Sequence, residues 1–473
     1  MVPNHNTMVA GMMGFYNRAL MTVAHRFCGV VLCALFVGPA HAQTQAPEDT
    51  TSRYQSTYNW QYHPSFNSPY AGANSLKGNA ESMYTFSATA HWGFRPWQNG
   101  ELYFNPEVVS GVPFSTNLVG LGSFTNGEIT RASGGTPTLY RQRLFVRHTW
   151  GQGGDREWVD ADFNQLAGWT DQNRVVLTAG NFSTLDVFDD NIYAKDPRTQ
   201  FMNWGNWTYA AYDYAADARG YGWGFALEWY RDNWAFRAGR MTGPKDPNGL
   251  PVDFSIYKHY GDQIEIERAH ELGGQPGKVR MLAWRNRAVV ASYSDATQWV
   301  EQWKQSHPNQ ALQGPDALIA SRNGEKIKYG LGVNVEQALN TQVGYFLRAM
   351  KADGRTETYA FTEADGSLST GLVFKGGLWG RADDTFGVAW LRNTLSNERR
   401  QFLQAGGISF FIGDSNGVQS LSYKPEQIWE AYYSFGLTRN AWLTTGYQRI
   451  QNPAYNADRG PVNVYALRLH TEF

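Results

Sequence analysis

The chain has almost no cysteine. Its two, Cys28 and Cys33, both fall within the first 42 of 473 residues, so the remainder has no disulfide, no thiolate nucleophile and no cysteine metal ligand. An excess of one charge is also missing. With 41 Lys and Arg against 42 Asp and Glu, the formal charge is −1, which argues against nucleic acid as a partner because phosphate binding needs clustered positive charge. Long apolar runs are scarce. One short run at 27–37, "FCGVVLCALFV", follows Arg18, His25 and Arg26 and precedes "GPAHA". Basic flank, short apolar core and small residues in that order predict a secretory signal peptide over 1–42, cleaved after Ala42. The run is too short for a permanent bilayer helix, which takes about 20 residues. The upstream segment reads as an extended start, with Met12 and Met21 as alternative initiators. Its removal leaves 43–473 as a single domain of formal charge −3.

Catalytic signatures are lacking as well. There is no G-x-S-x-G elbow, H-E-x-x-H, P-loop or dinucleotide glycine pattern. "DADFNQLAGWTD" opens like a calcium loop with Asp160, Asp162 and Asn164, but Gln165 stands where that loop needs Gly, so it reads as a turn. Asp189 with Asp190 and Asp383 with Asp384 are adjacent carboxylates. Adjacent residues in a strand point opposite ways, and such pairs in loops are usually solvated. The expectation is no enzyme, no metal and no cofactor.

What is present is aromatic residues and glycine: 18 Trp, 26 Tyr, 26 Phe and 49 Gly, in a chain of mean hydropathy −0.48. That mixture suits strands and tight turns. An exported, aromatic-rich chain that is polar on average fits an all-β, antiparallel transmembrane barrel of the outer membrane, in which only alternate residues face lipid. The segment "GWGFALEWYRDNWAFRAGRM" tests this. With Asp232 and Asn233 as a two-residue turn, residues whose numbers sum to 465 lie opposite each other, pairing Trp229 with Phe236, Leu227 with Ala238 and Glu228 with Arg237. The apolar face then meets lipid and the Glu228 and Arg237 pair points into the lumen. The same alternation recurs in "YTFSATAHW", "IKYGLGVNVEQ" and "WEAYYSFGL". It closes the chain in "VYALRLHTEF", where Tyr465, Leu467, Leu469, Thr471 and Phe473 share one face. A length of 43–473 suits about 16 strands. Short connections such as 231–233 and 438–440 belong on the periplasmic side, and long ones outside. The stretch 288–324 reads as the longest, with a helical turn around Trp299 to Lys304.

In "LYRQRLFVRHTW" strict alternation places Arg141, Arg143, Phe145 and Arg147 on one face, an arginine wall in the lumen. Glu107, Glu228, Glu265, Glu267 and Glu336 are acids available to oppose it, and Arg237 adds a further cation. A lining of both signs favours neutral polar solutes, and aromatic faces stack on sugar rings.

Several stretches in order carry a resemblance: "GELYFNPEVVSG", "LYRQRLFVRHTWGQGG", "DPRTQFMNW", "YDYAADARGYGWG", "KHYGDQIEIE", "GRTETYAFTE", "GRADDTFGVAW", "PEQIWEAYYS" and "NPAYNADRGPVNVYALRLHTEF". From about Tyr58 to Phe473 the chain resembles the OprB-type carbohydrate-selective porins. The resemblance implies a 16-stranded outer-membrane barrel giving passive diffusion of monosaccharides such as glucose, with arginine and glutamate near the constriction and no cofactor. That role carries by motif onto Glu107, Arg141, Arg143 and Arg147. The terminal strand with Tyr465, Leu467, Leu469 and Phe473 resembles the signal read by the outer-membrane barrel-assembly machinery. Small sugars, outer-membrane lipids and that machinery are the expected partners, and a homo-oligomer is compatible with the reading. The rival readings are a general, size-limited porin and a secreted soluble β-rich polysaccharide-binding protein.

Overall fold

The computed structural model describes residues 46–473, apart from 133, 309, 362 and 415–420; the signal peptide expected over 1–42 lies outside the described residues. Among the described residues there are eighteen strands: β1 (Thr50–His63), β2 (Glu81–Trp97), β3 (Gly100–Val112), β4 (Thr138–Gly151), β5 (Arg156–Val159), β6 (Gly168–Asp171), β7 (Arg174–Phe182), β8 (Gly222–Arg231), β9 (Trp234–Met241), β10 (Tyr260–Leu272), β11 (Gln275–Val289), β12 (Glu325–Ala338), β13 (Val343–Ala352), β14 (Gly366–Lys375), β15 (Thr385–Thr394), β16 (Glu426–Thr438), β17 (Ala441–Gln451) and β18 (Val462–Glu472). All but β5 and β6 form one closed antiparallel barrel of neighbours in chain order; β5 and β6 pair as a small separate hairpin in the connection from β4 to β7. Closure comes from β1 on β18, with Tyr58 opposite Leu469. The Phe473 backbone N–H donates to the Tyr54 carbonyl and the Tyr54 N–H to that of Phe473. A closed ring leaves no unpaired edge in hydrocarbon, the condition for strands to span a bilayer.

Alternation sets the two faces. On β8 Phe225, Leu227 and Trp229 are exposed while Ala226 is buried, and Trp229 lies opposite Phe236, Leu227 opposite Ala238 and Glu228 opposite Arg237. β12 and β18 behave alike, exposing Ile327, Tyr329 and Leu331, and Tyr465, Leu467 and Leu469. The exposed face is the lipid belt; the buried face looks inward and is rich in Gln, Asn, Thr, Glu and Arg. Tight turns join strands at one end. Gly273 and Gly274 both take positive φ between β10 and β11, as does Asp232 between β8 and β9, the conformations a two-residue hairpin demands.

At the opposite end the connections are long, which marks the extracellular side. The helix Tyr293–Ser306 occupies the 290–324 connection, longer than the single turn expected there. That connection is not the longest. The segment from Ser183 to Tyr221, between β7 and β8, exceeds it, and it folds into the barrel, where Phe188, Phe201, Met202 and Tyr212 have no exposed surface.

A charge at mid-height of the lipid face costs about 2–4 kcal/mol. Leu227→Arg should therefore destabilise the barrel by that order in a denaturant titration in bilayers, whereas Leu227→Ile should change little.

Candidate permeation pathway

The lumen is organised by what the wall offers to the 183–221 segment. Wall carboxylates accept its backbone N–H groups. Asp189 donates to Glu265 (2.9 Å), Ile192 to Glu336 (2.9 Å) and Met202 to Glu430 (2.7 Å). Wall arginines take its acceptors: Arg348 holds the Asp189 carboxylate at 2.8 Å, and Arg468 donates to the carbonyls of Pro197 and Gln200, each at 2.8 Å. Hydrogen bonds with one ionised partner are the stronger class, and here they satisfy backbone groups that water does not reach. A second inward segment, 113–132, packs against the first, with Gly127 donating to the Met202 carbonyl and Trp204 to that of Phe124. Gly127 leaves room for the Trp207 indole, whose Nε1 would lie 2.2 Å from a Cβ at that position. Trp204 in turn stacks on Phe361 at 5.1 Å.

What these segments leave open is a cavity of about 870 Å³ beside β2–β9. In its lining Arg143 grips Asp186 with two parallel bonds of 2.7 Å. Its guanidinium carbon lies 5.1 Å from the centre of the Tyr221 ring, and that of Arg131 lies 5.8 Å from it. Burial alone would push the Asp186 carboxyl up, but Arg143, with the Ser183 backbone N–H, outweighs it and holds the group below the ordinary carboxylate range. Ser183 and Asp186 also cap the single 3-10 turn Thr184–Asp186 reciprocally, so the anion is fixed in place. Arg198 of the 183–221 segment bridges Glu107 on β3 (2.6 Å) and Glu128 of the 113–132 segment (2.9 Å). A second cavity of about 790 Å³, reaching toward the short-turn end near His470 and Glu472, also has Arg198 in its lining.

The residues singled out from sequence take different positions. Arg143, Arg147, Glu228 and Arg237 line the larger cavity. Glu107 sits behind it, fully buried, accepting from Thr89, Tyr140, Gln142 and Arg198. Glu265 and Glu267 are latched to Arg237, and Glu267 also to Arg280. The three-arginine wall is broken. Asn105 pairs with Arg143 but Pro106 with Arg141, so Gln142 is an extra residue that reverses the alternation. Gln142 and Arg143 both turn inward, while Arg141 is exposed on the outer face over the Trp223 ring at 5.0 Å. Pro106, which cannot donate to the ladder, was the available signal for that bulge. Arg131, Asp186, Arg198 and Tyr221 come from loops and were not singled out; "DPRTQFMNW" contains Arg198, but nothing in periodicity points a loop residue at a lumen. Neither carboxylate pair forms a dyad, because Asp189 is bound by Arg348 and Asp190 by Lys195, while Asp384 is bound by Arg381. The 160–165 stretch closes as a turn, with Asp162 and Gln165 exchanging backbone bonds.

The sequence profile of the carbohydrate-selective porin, OprB family, matches residues 80–473. The chain belongs to that family. Among solved structures, the high-pH form of Pseudomonas putida OprB superposes over 90% of this chain and 94% of its own at 15% identity, with a TM-score of 0.63. The outer-membrane channel DcaP of Acinetobacter baumannii covers 90% and 97% at 8% identity and 0.48. The likeness to the Pseudomonas putida channel bears on the fold. No curated protein matches the chain in sequence. As a carbohydrate-selective porin of the bacterial outer membrane it is a channel, and the cavity beside Arg143 is where its lumen is charged on both sides.

Arg143→Ala would leave Asp186 facing the pore unneutralised. Planar-bilayer recordings should show a larger conductance and a shift toward cation selectivity, and Asp186→Asn a shift toward anions; equal reversal potentials in all three proteins would contradict the assignment.

Proposed function

We propose that this porin passes small neutral sugars of monosaccharide size, glucose among them, by passive diffusion. The observation that carries the reading is the pairing of Arg143 with Asp186 beside the Tyr221 ring. A guanidinium and a carboxylate that already neutralise each other exert little net pull on an ion. Their outward N–H groups and lone pairs remain available to the hydroxyls of a neutral solute. Arg147, Glu228 and Arg237 extend the same two-signed lining. In the cell, we infer that residues 1–42 direct export and that the barrel-assembly machinery reads the exposed terminal row Tyr465, Leu467, Leu469 and Phe473. Association of barrels into a homo-oligomer fits the same outer surface.

Liposome swelling with the purified 43–473 chain tests the sugar reading. Glucose should enter faster than a neutral amino acid of similar size, and a disaccharide more slowly than glucose. Rates that follow size alone would leave a general diffusion pore.

A further inference from the structure

The outer face of a barrel should be apolar where it meets acyl chains, and at mid-height this one is. Phe225, Leu227, Ile264, Ile266, Met281 and Leu331 are all exposed there. Toward the long-loop ends of β4 and β9–β11 the same face becomes cationic. Arg141 is exposed beside Trp223. Three strands along the barrel from β4, Arg240 on β9 lies opposite Asp262 on β10, and Asp262 lies opposite Arg285 on β11. Both guanidiniums grip that one carboxylate, Arg240 at 2.7 Å and Arg285 at 2.9 Å. Both also lie over the Tyr260 ring, at 3.9 and 5.6 Å. Arg287 follows one turn of the pleat above and pairs with Glu325. Arg240, Arg285 and Arg287 therefore share Asp262 and Glu325, the latter also 3.3 Å from His259, while Arg141 farther along the rim donates to Asn181 at 3.3 Å; the Arg285 side chain remains 51% exposed.

Lumen ion pairs cannot explain this patch, because alternation points it away from the pore. Nor is it a random set of surface charges: a strand that turned these positions to Leu or Val would bury them in lipid at no cost, whereas arginine is tolerable only at the level of the headgroups, where the penalty falls to about 0–1 kcal/mol. We propose that Arg141, Arg240, Arg285 and Arg287 form a binding site for the phosphate groups of outer-leaflet lipid. Charge complementarity selects the occupant. Guanidinium forks match phosphate oxygens two at a time, Tyr260 and Trp223 hold the forks flat against the barrel, and the apolar strip beneath receives the acyl chains of the same molecule. Asp262 acts as a resident competitor, occupying two of the forks and keeping them aligned until a phosphate shares them.

Native mass spectrometry of the intact porin in detergent, titrated with bisphosphorylated lipid A and with the same lipid after phosphatase treatment, tests the site. Phosphorylated lipid should bind and the dephosphorylated form should bind far less. Each basic residue near a membrane surface contributes about fivefold, so combined Arg240→Gln, Arg285→Gln and Arg287→Gln should weaken binding roughly a hundredfold. Asp262→Asn should instead strengthen it. Heat-modifiable migration on gels confirms that each variant is folded, and glucose flux in liposomes should be unchanged because none of these side chains faces the lumen. If the triple variant does not fold, Arg285→Gln and Asp262→Asn alone carry the test through their opposite signs. Equal binding of both lipids, full displacement by inorganic phosphate with no need for acyl chains, or weaker binding by Asp262→Asn would overturn the proposal.

Discussion

The pore depends on charge-assisted hydrogen bonds between the inward barrel face and a segment that would otherwise stand outside it. Burying the 183–221 segment in a lumen removes its backbone from water, and each N–H or C=O left unpaired there costs on the order of 1–3 kcal/mol. Glu265, Glu336 and Glu430 take the donors, and Arg348 and Arg468 take the acceptors. These wall residues come from β10, β12, β16, β13 and β18, so the segment is pinned from widely spaced parts of the ring. Asp186 lies on the same segment, and that pinning helps to hold it beside Arg143. The wall charges themselves are stabilised in turn: Arg280 is fully buried yet bonded to Glu267 at 2.7 Å and to Glu336 at 3.1 Å. A buried charge that lost its partner would cost about 3–5 kcal/mol.

This division of labour separates two kinds of lumen charge. Glu107, Glu265, Glu267, Glu336 and Glu430 are structural, with little or no surface presented to a solute. Arg143, Arg147 and Asp186 retain partial exposure and face open space. A lumen crowded with ionised groups can thus show weak ion preference, because most of its charge is engaged by backbone groups or by opposite charges within the protein. On the outside the logic reverses. There the arginines outnumber their acids, and only the height at which they sit makes them tolerable.

Most of the barrel was legible in the sequence because a strand's period of two is local. The Trp223, Phe225, Leu227 and Trp229 row declares its face without knowledge of anything else, and the Asp232-Asn233 turn then fixes the pairing of Glu228 with Arg237. The terminal strand declares itself in the same way. Two features escaped that reading for physical reasons. The bulge at Gln142 adds one residue to one strand and reverses every face beyond it, so Arg141 reads as lumenal by strict alternation but lies outside. The inward course of 183–221 has no periodicity at all; its cause is the set of partners on five distant strands, and only the assembled ring brings them together. Arg198 and Asp186 accordingly read as ordinary loop charges.

Wall charges anchor the 183–221 segment inside the barrel through Glu265, Glu336, Glu430, Arg348 and Arg468. Single-channel conductance of Glu265→Gln combined with Glu336→Gln, which keeps the shape of the wall and removes two anionic anchors, tests it most directly. The expected result is a folded barrel whose conductance rises and fluctuates between levels and which admits disaccharides faster than the parent does. A folded double variant with the parent's conductance and the parent's size limit would contradict it.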